Sequence, residues 1–475
     1  MKKLLFFLIA MSFLMSSSIY AQKVKQWVST DREKAWQMKS GITTRSVDAY
    51  KSITINRQQT GQTIKGFGAC FNELGWVSLS ELSEKEREAI FQELFSENGL
   101  NLTVNRMPVG ANDFSTDYYS YDDVDGDFEM ENFSIAHDEN TLIPFIKSAL
   151  AVNPEMYLWA SPWCPPAWMK INKHYACSTN WSWTKGGADN KLPADLACVV
   201  EGMDVFTQVP RYLSAYAKYF GLFIDAYKQK GIKISMVMPQ NEPNSAQPYP
   251  ACLWSPKGLI NFIQYLGPEM EKRGVDVYLG TIERADPNLT EEILNHEKAG
   301  KYIKGCGFQW AGKDALPIIR KNHPLLPMFQ TEQECGDGKN DWKGVMHSWD
   351  LMKHYFSNGV TAYDYWNISL FENGLSHWGW SQNSLITVNK ENKTYQYTPE
   401  AYLLKHFSHF VKPGAKLLNT DGTLDEVLSF LNPDGTVVAV VANKEKSKQE
   451  LTITIDGKQF SMTLPSESVN TIVFQ

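Results

Sequence analysis

The chain has 475 residues, 43% hydrophobic and 21% charged, which is enough for a large core and one or two domains. Its formal net charge is −7 with no basic patch, which excludes a nucleic-acid partner. The seven Cys contain no C-x-x-C pair and the nine His show no zinc spacing, so no metal and no cofactor is expected.

The N-terminus reads as a secretory signal: Lys2-Lys3, a mostly apolar run from Leu4 to Leu14, then small polar residues and Ala21. The run is too short to span a bilayer, so cleavage after Ala21 and no membrane insertion are expected. Cleavage removes two lysines and no acids, taking the charge from −7 to −9. The expected mature protein is a secreted, periplasmic or surface-exposed monomer. Cys177 and Cys198 flank an inserted loop and could pair in such a compartment.

Residues 22–61 are expected to supply strand material to a side domain, with Ser52-Ile53-Thr54-Ile55 alternating as a strand does. Residues 62–410 then alternate short apolar runs with helical stretches. The runs are Ile64–Phe71, Leu102–Met107, Met156–Ala160, Ile234–Val237, Val275–Leu279, Gly307–Trp310, Leu326–Glu332 and Ala362–Asn367. Eight such units predict a (β/α)8 barrel. Ser83 with Glu86 predicts a capping box opening a helix through Leu94, and Tyr212–Tyr227 has helical periodicity. Gly66 and Gly68 in the first run suggest close backbone packing. From residue 411 to 475 helix signals stop. Val427–Leu431, the turn Asn432-Pro433-Asp434-Gly435 and Val437–Val441 predict a strand–turn–strand unit, continued by Leu451–Ile455 and Thr471–Phe474. A β-sandwich built from both chain ends is expected, with the Ile53 strand completing it.

Two acids end barrel strands. Glu242 follows the fourth run in Met238-Pro239-Gln240-Asn241-Glu242-Pro243, where the prolines stop the ladder. Glu332 closes the seventh run about ninety residues later, which is three units at about 30 residues each. Carboxylates on strands 4 and 7 face each other across the barrel mouth, the arrangement glycoside hydrolysis needs. An Asn-Glu-Pro surface turn is the plain reading of Glu242 taken alone. A non-catalytic sugar-binding protein is the rival for the whole chain, but binding alone gives no use for two opposed acids. The 15 Trp suit stacking on sugar rings, although most of them belong to a core.

The ordered set Gly66-Phe67-Gly68, Asn105-Arg106-Met107-Pro108, Asp113-Phe114-Ser115, Tyr119-Ser120-Tyr121-Asp122-Asp123, Asn132-Phe133-Ser134-Ile135, Ala160-Ser161-Pro162-Trp163, Trp168-Met169-Lys170, Asn241-Glu242-Pro243, Thr331-Glu332 and Trp366-Asn367 resembles family 30 glycoside hydrolases. That group includes lysosomal glucosylceramidase and bacterial and fungal β-glucanases. The resemblance spans nearly the whole mature chain and implies a (β/α)8 barrel with a β-sandwich from both chain ends. It implies Glu242 as acid/base, Glu332 as nucleophile and Asn241 on the sugar 2-hydroxyl. It places Arg106, Asp113, Trp163 and Trp366 in the sugar pocket.

One departure is visible. Lysosomal relatives carry a Tyr after the sixth-strand His-Trp, whereas this chain reads Gln309-Trp310-Ala311. That leaves one rim more open, which suits a passing chain. The segment Gln330–Gly338 also looks like the β-1,6-glucanase branch, so the expected reaction is endo-hydrolysis of β-1,6-glucan, a β-linked polysaccharide or oligosaccharide being the substrate, with a glucosylceramidase or an exo-acting β-glucosidase or β-xylosidase of the same family as the alternative. Trp163, Trp310, Trp366 and Trp378 are the expected stacking faces, and His377 is a neighbour of the site. Glu334 is the rival nucleophile by position, and the acids from Asp122 to Asp127 resemble a calcium loop but lack its twelve-residue spacing.

Overall fold

A computed structural model describes residues 23–31, 37–39, 51–182 and 186–475; the expected signal segment lies outside them. Eight parallel strands close a barrel: Gly66–Cys70, Val104–Pro108, Tyr157–Ser161, Met236–Val237, Asp276–Ile282, Ile303–Gln309, Met328–Glu332 and Ala362–Phe371. Closure is made by the last two, where Phe329 pairs with Ala362 and Gln330 with Tyr363.

Two-residue periodicity explains how one strand serves both core and site. Val104, Trp159, Met236, Met238, Tyr278, Phe329 and Ala362 fill the barrel interior. Two residues further along the same face come Arg106 and Ser161, at the C-terminal mouth. Gly68 is required by close approach, since a Cβ there would sit 1.3 Å from the Val104 carbonyl oxygen. The fourth strand is shorter than its apolar run. The Ser235 N–H still bonds Leu158 O (2.8 Å) and the Met238 N–H bonds Ala160 O (2.9 Å), so its third-strand side continues the pattern that Pro239 ends. The eighth strand runs past Asn367 to Phe371 because Ser384–Asn389 pairs with its outer half.

Helix Glu84–Phe95 opens on Ser83 with a complete capping box: Ser83 Oγ accepts from the Glu86 N–H and the Glu86 carboxylate accepts from the Ser83 N–H. Helix Pro210–Gln229 buries the face carrying Leu213, Tyr216, Phe220, Phe223 and Tyr227 against the barrel.

The second body is a nine-stranded sheet that takes strands from both ends of the chain. Its order is Lys458–Leu464, Gln449–Ile455, Lys51–Thr63, Lys416–Gly422, Val427–Leu431, Val437–Asn443, Ser468–Phe474, Val24–Thr30 and Gln37–Lys39. Ile53 pairs with Ile453 on one side and Gly422 on the other, so the expected N-terminal strand is central rather than peripheral. The sheet folds over on itself: Gln26 Nε2 donates to Thr463 O (3.2 Å), although their strands lie near opposite ends of the order. Alternation then divides one strand between two cores. Val437, Ala439 and Val441 face the sandwich interior, while Val438, Val440 and Ala442 join the barrel core. Phe430 meets the barrel-side rings of Phe356 at 5.8 Å and Phe407 at 6.2 Å, both edge-on.

His406 ties the two bodies together. Its Nδ1 lies 2.8 Å from Thr471 Oγ1 and its Nε2 lies 3.0 Å from Ser29 Oγ. The Thr471 hydroxyl already donates to His406 O (2.8 Å), so Nδ1 must carry the proton and Nε2 must accept from Ser29. Burial holds this imidazole neutral, with its pKa lowered to about 3.

Candidate active site

Arg106 organises the barrel mouth. Its guanidinium is fully buried (0% exposed) and packs against indoles, its Cζ 4.3 Å from the Trp163 ring centre and 5.3 Å from that of Trp366. Nη1 donates to Glu332 Oε2 (2.8 Å) and to Thr331 O (3.1 Å). Nη2 donates to Asn241 Oδ1 (2.7 Å) and Ser161 Oγ (2.9 Å), and Nε to Ser161 Oγ (3.2 Å). The fork thus fixes groups from strands 3, 4 and 7 at once, which a point charge would not do.

Glu332 ends the seventh strand at a register shift against the sixth, between Gln330 and Glu332. Such a bulge re-aims a side chain. Glu242 sits in the turn beyond the fourth strand at φ +48°, a left-handed conformation that non-glycine residues seldom adopt. The fifth and sixth strands hold that turn. The Glu242 N–H donates to Thr281 Oγ1 (3.1 Å), and Thr281 Oγ1–H donates to Asn241 Oδ1 (2.9 Å). Gln309 Nε2 donates to Glu242 Oε1 (2.9 Å) and Gln247 Nε2 to Glu242 Oε2 (3.2 Å).

The electrostatics of the two acids differ in kind. Burial pushes Glu332 up to about 7, with Arg106 opposing the rise and Glu242 adding to it. Burial also raises Glu242, opposed mainly by the neutral amides of Gln309 and Gln247. Asp113 is raised well above the ordinary carboxylate range by burial and by the charges of Glu332 and Glu242, and its Oδ1 has no protein partner. A further acid, Glu283, follows the fifth strand. It is 1% exposed and is raised to about 7 by burial and the charge of Glu242.

These groups line a cleft of about 610 Å³. Of the residues singled out in the sequence, Asp113, Trp163, Asn241, Glu242, Trp310 and Glu332 border it, and Arg106 lies directly beneath. Trp366 and Trp378 do not border it. Trp366 is stacked on Trp163 (5.3 Å) with Phe114 against its edge, and Trp378 is stacked on Tyr118 (5.0 Å) at 1% exposure. Their expected stacking faces are therefore covered by protein; Trp366 instead backs the Trp163 ring. Two other indoles, Trp181 and Trp380, border the cleft with Tyr249. Both lie in long loops after barrel strands, where chain order alone cannot show which ring turns inward. His377 likewise does not border the cleft.

Glu334 is held by Lys313 Nζ (2.8 Å) and His347 Nε2 (2.9 Å) and does not border the cleft, which removes it as a rival to Glu332. Asp122 and Asp127 each brace a local turn: Asp122 Oδ1 accepts from the Val124 N–H (3.1 Å) and Asp127 Oδ2 from the Asn132 N–H (2.8 Å). Among the described residues no group of three or more His, Cys, Asp or Glu is placed to hold a metal ion. The Cys198 N–H bonds Cys177 O (2.8 Å), but both thiols are free. Gln309, Gln247, Thr281 and Glu283 were missed by sequence reasoning. The usable signal was position, since Thr281, Glu283 and Gln309 lie at the C-terminal ends of the fifth and sixth strands.

Comparison with known proteins agrees with this fold. The glycosyl hydrolase family 30 TIM-barrel domain matches residues 64–411, and the family's beta sandwich domain matches residues 417–472. Putative glucosylceramidase 1 of Caenorhabditis elegans is 30% identical, covering 89% of this chain and 83% of its own length. An endo-1,6-beta-D-glucanase of Aspergillus fumigatus is 27% identical over 89% of this chain and 87% of its own. Among solved structures, SrfJ from Salmonella typhimurium superposes with a TM-score of 0.82 at 25% identity, covering 95% of this chain and 100% of that one. An endo-beta1,6-glucanase superposes at 0.80 with 24% identity, covering 95% and 99%. The barrel, its side sheet and the matched domains together establish that this chain belongs to glycosyl hydrolase family 30 and is an O-glycosyl hydrolase.

Proposed function

We propose that this enzyme is a retaining β-glycosidase, with Glu332 as nucleophile and Glu242 as acid/base, and that it cleaves β-1,6-glucan internally. The observation that carries the assignment is the unequal company of the two acids. Arg106 donates a charge-assisted bond to Glu332, whereas Glu242 receives only neutral amides. When two buried carboxyls share one proton, the partner fixed to the cation keeps the negative charge.

The reaction follows from that asymmetry. A Glu332 oxygen attacks the anomeric carbon as the glycosidic bond breaks, and Glu242 gives its proton to the departing oxygen. The glycosyl ester formed on Glu332 carries no charge, so the repulsion that held the Glu242 proton is gone. Glu242 then takes a proton from water, the water oxygen bonds to the anomeric carbon, and the Glu332 carboxylate is released. Double displacement needs the carboxyl groups about 5–5.5 Å apart. Asn241 Oδ1 accepts from Arg106, Thr281 and Gln309, which turns its amide N–H toward a sugar hydroxyl. Asp113 Oδ1 supplies an unused acceptor beside Glu332.

Support for a glucan comes from the cleft. Its volume lies in the range of about 300–1,000 Å³ that buries ligands larger than a single sugar ring. Trp163, Trp181, Trp310 and Trp380 border it, and so does Ala311, where lysosomal relatives place a Tyr. The endo-1,6-glucanase relatives point the same way, and the signal-like N-terminus suits an enzyme secreted to reach polysaccharide. A second reading, glucosylceramide hydrolysis, is favoured by the names of the C. elegans relatives. Incubation with β-1,6-glucan and with glucosylceramide separates them. Mixed-length oligosaccharides from the glucan support the first reading. Glucose as sole product, or cleavage of the glycolipid alone, overturns it.

A further inference from the structure

Glu283, a further carboxyl of the cleft, takes no part in the two-carboxylate mechanism, yet its geometry is that of a binding group. Glu283 Oε1 accepts from the Asn244 N–H (2.8 Å) and the Ser245 hydroxyl (2.9 Å). Those two residues directly follow the Glu242-Pro243 turn, so Glu283 is fixed to the segment that carries the acid/base. Its Oε2 is buried with no partner, although the side chain borders the cleft. Arg284 alongside is tied back to Glu201 Oε1 (2.7 Å) and Asn244 O (3.1 Å), with its Nη1 3.7 Å from Glu283 Oε1. Native structures rarely leave a buried carboxylate oxygen unsatisfied, because the loss costs more than an ordinary hydrogen bond returns.

Side follows from chemistry. The acid/base protonates the oxygen of the leaving group, so a group anchored to its turn faces the leaving half of the substrate. Asp113, whose Oδ1 is likewise buried without a partner, is another carboxyl bordering the same cleft. We propose that Glu283, positioned by Asn244 and Ser245 and flanked by Arg284, is the specificity-determining residue of a leaving-group subsite that takes a hydroxyl of a sugar rather than an apolar aglycone. Oε2 meets that hydroxyl as the acceptor of a charge-assisted hydrogen bond when the carboxyl is ionised. The inference rests on the glycosidase reading above and sharpens its substrate: the departing half is itself a carbohydrate.

The test compares two leaving groups at one glycone. Wild type and Glu283→Gln are assayed on β-1,6-linked glucose oligosaccharides and on a 4-nitrophenyl β-glycoside of the same glycone. The variant's loss in kcat/KM on the oligosaccharide should exceed its loss on the aryl glycoside by about 10-fold or more, the scale of a hydrogen bond to a charged group. Equal losses on both would mean that Glu283 only braces the turn, and the subsite would be refuted. The second measurement partitions the glycosyl-enzyme, formed from the aryl glycoside, between glucose and methanol as acceptors. Glu283→Asp, which keeps the charge but shortens the reach, should lower transfer to glucose relative to methanol; an unchanged ratio refutes the subsite. A wild-type enzyme that cleaves the aryl glycoside but no oligosaccharide would sink the glucan reading instead, and the acceptor ratio would still judge Glu283.

Discussion

Replacing Arg106 by Lys keeps a positive charge in the barrel mouth but removes the fork that distributes it. Arg106 makes five hydrogen bonds to groups from three strands, and a Lys ammonium has at most three donors on one atom. At best Lys keeps contact with Glu332 or with Asn241 and Ser161, leaving the rest buried and unpaired. Breaking a buried pair costs about 3–5 kcal/mol, and 1.36 kcal/mol is tenfold in rate, so kcat/KM should fall by about 10²-fold or more. The pH profile makes the prediction specific. Arg106 is the largest influence holding the Glu332 pKa down against burial, and the value with Arg106 present is about 7. Weakening that pairing raises the pKa further. Because attack requires ionised Glu332, the acidic limb of kcat/KM should move to higher pH in Arg106→Lys. The assay is kcat/KM for a 4-nitrophenyl β-glycoside across pH 4–9, with a thermal melt confirming the fold. An acidic limb at its wild-type position, with rate lost uniformly at all pH, would refute the claim that Arg106 sets the charge of Glu332.

Other outcomes follow from the same structure. Glu242→Ala should cut turnover of glycosides with poor leaving groups by about 10²–10⁴-fold while sparing activated aryl glycosides in the first step; equal losses would deny it the acid role. The neutral His406 gives a stability effect with a definite sign. A folded pKa depressed to about 3 means that the unfolded chain binds the proton first, so this contribution is complete above about 6.5 and shrinks as pH falls. Between pH 6.5 and 5 the loss is about 1.7 kcal/mol, the full slope of about 1.4 kcal/mol per unit being reached only below the unfolded pKa, and it should be absent from the melting profile of His406→Gln. Parallel profiles for both proteins would contradict it. Deleting residues 415–475 should give an aggregating protein, since it uncovers the barrel face packed by Phe430, Val438 and Val440 and strips the Ile53 strand of its partners. A soluble, active truncation would show the sheet to be dispensable.

What was legible in the sequence is what local periodicity encodes. The eight barrel strands, the Ser83 capping box and the Val427–Val441 hairpin all come from residues within a few positions of one another, and each is found within a few residues of its expected place. The carboxylates were legible because proline and a polar break mark the strand ends at Glu242 and Glu332. Strands Lys416–Gly422 and Lys458–Leu464 went unrecognised because their pairing partners are remote or their runs mix polar and apolar residues. Side-chain direction at the barrel mouth was not legible either. It depends on the bulge at Glu332, the positive φ at Glu242 and loops that turn Trp380 inward while Trp378 packs on Tyr118. Gln309 holds Glu242 from a strand sixty-seven residues away, a contact that neither its residue type nor its spacing announces.

Which carboxylate becomes bonded to sugar decides the mechanism. Incubation with an activated 2-deoxy-2-fluoro-β-glucoside, which slows release of the covalent intermediate, followed by intact mass and peptide mapping, tests this directly. One fluoroglucosyl group per chain is expected, carried by Glu332 in the peptide around Gln330-Thr331-Glu332. A label on Glu242, or an unlabelled enzyme whose first product from a natural β-glycoside is the α-anomer, would contradict it.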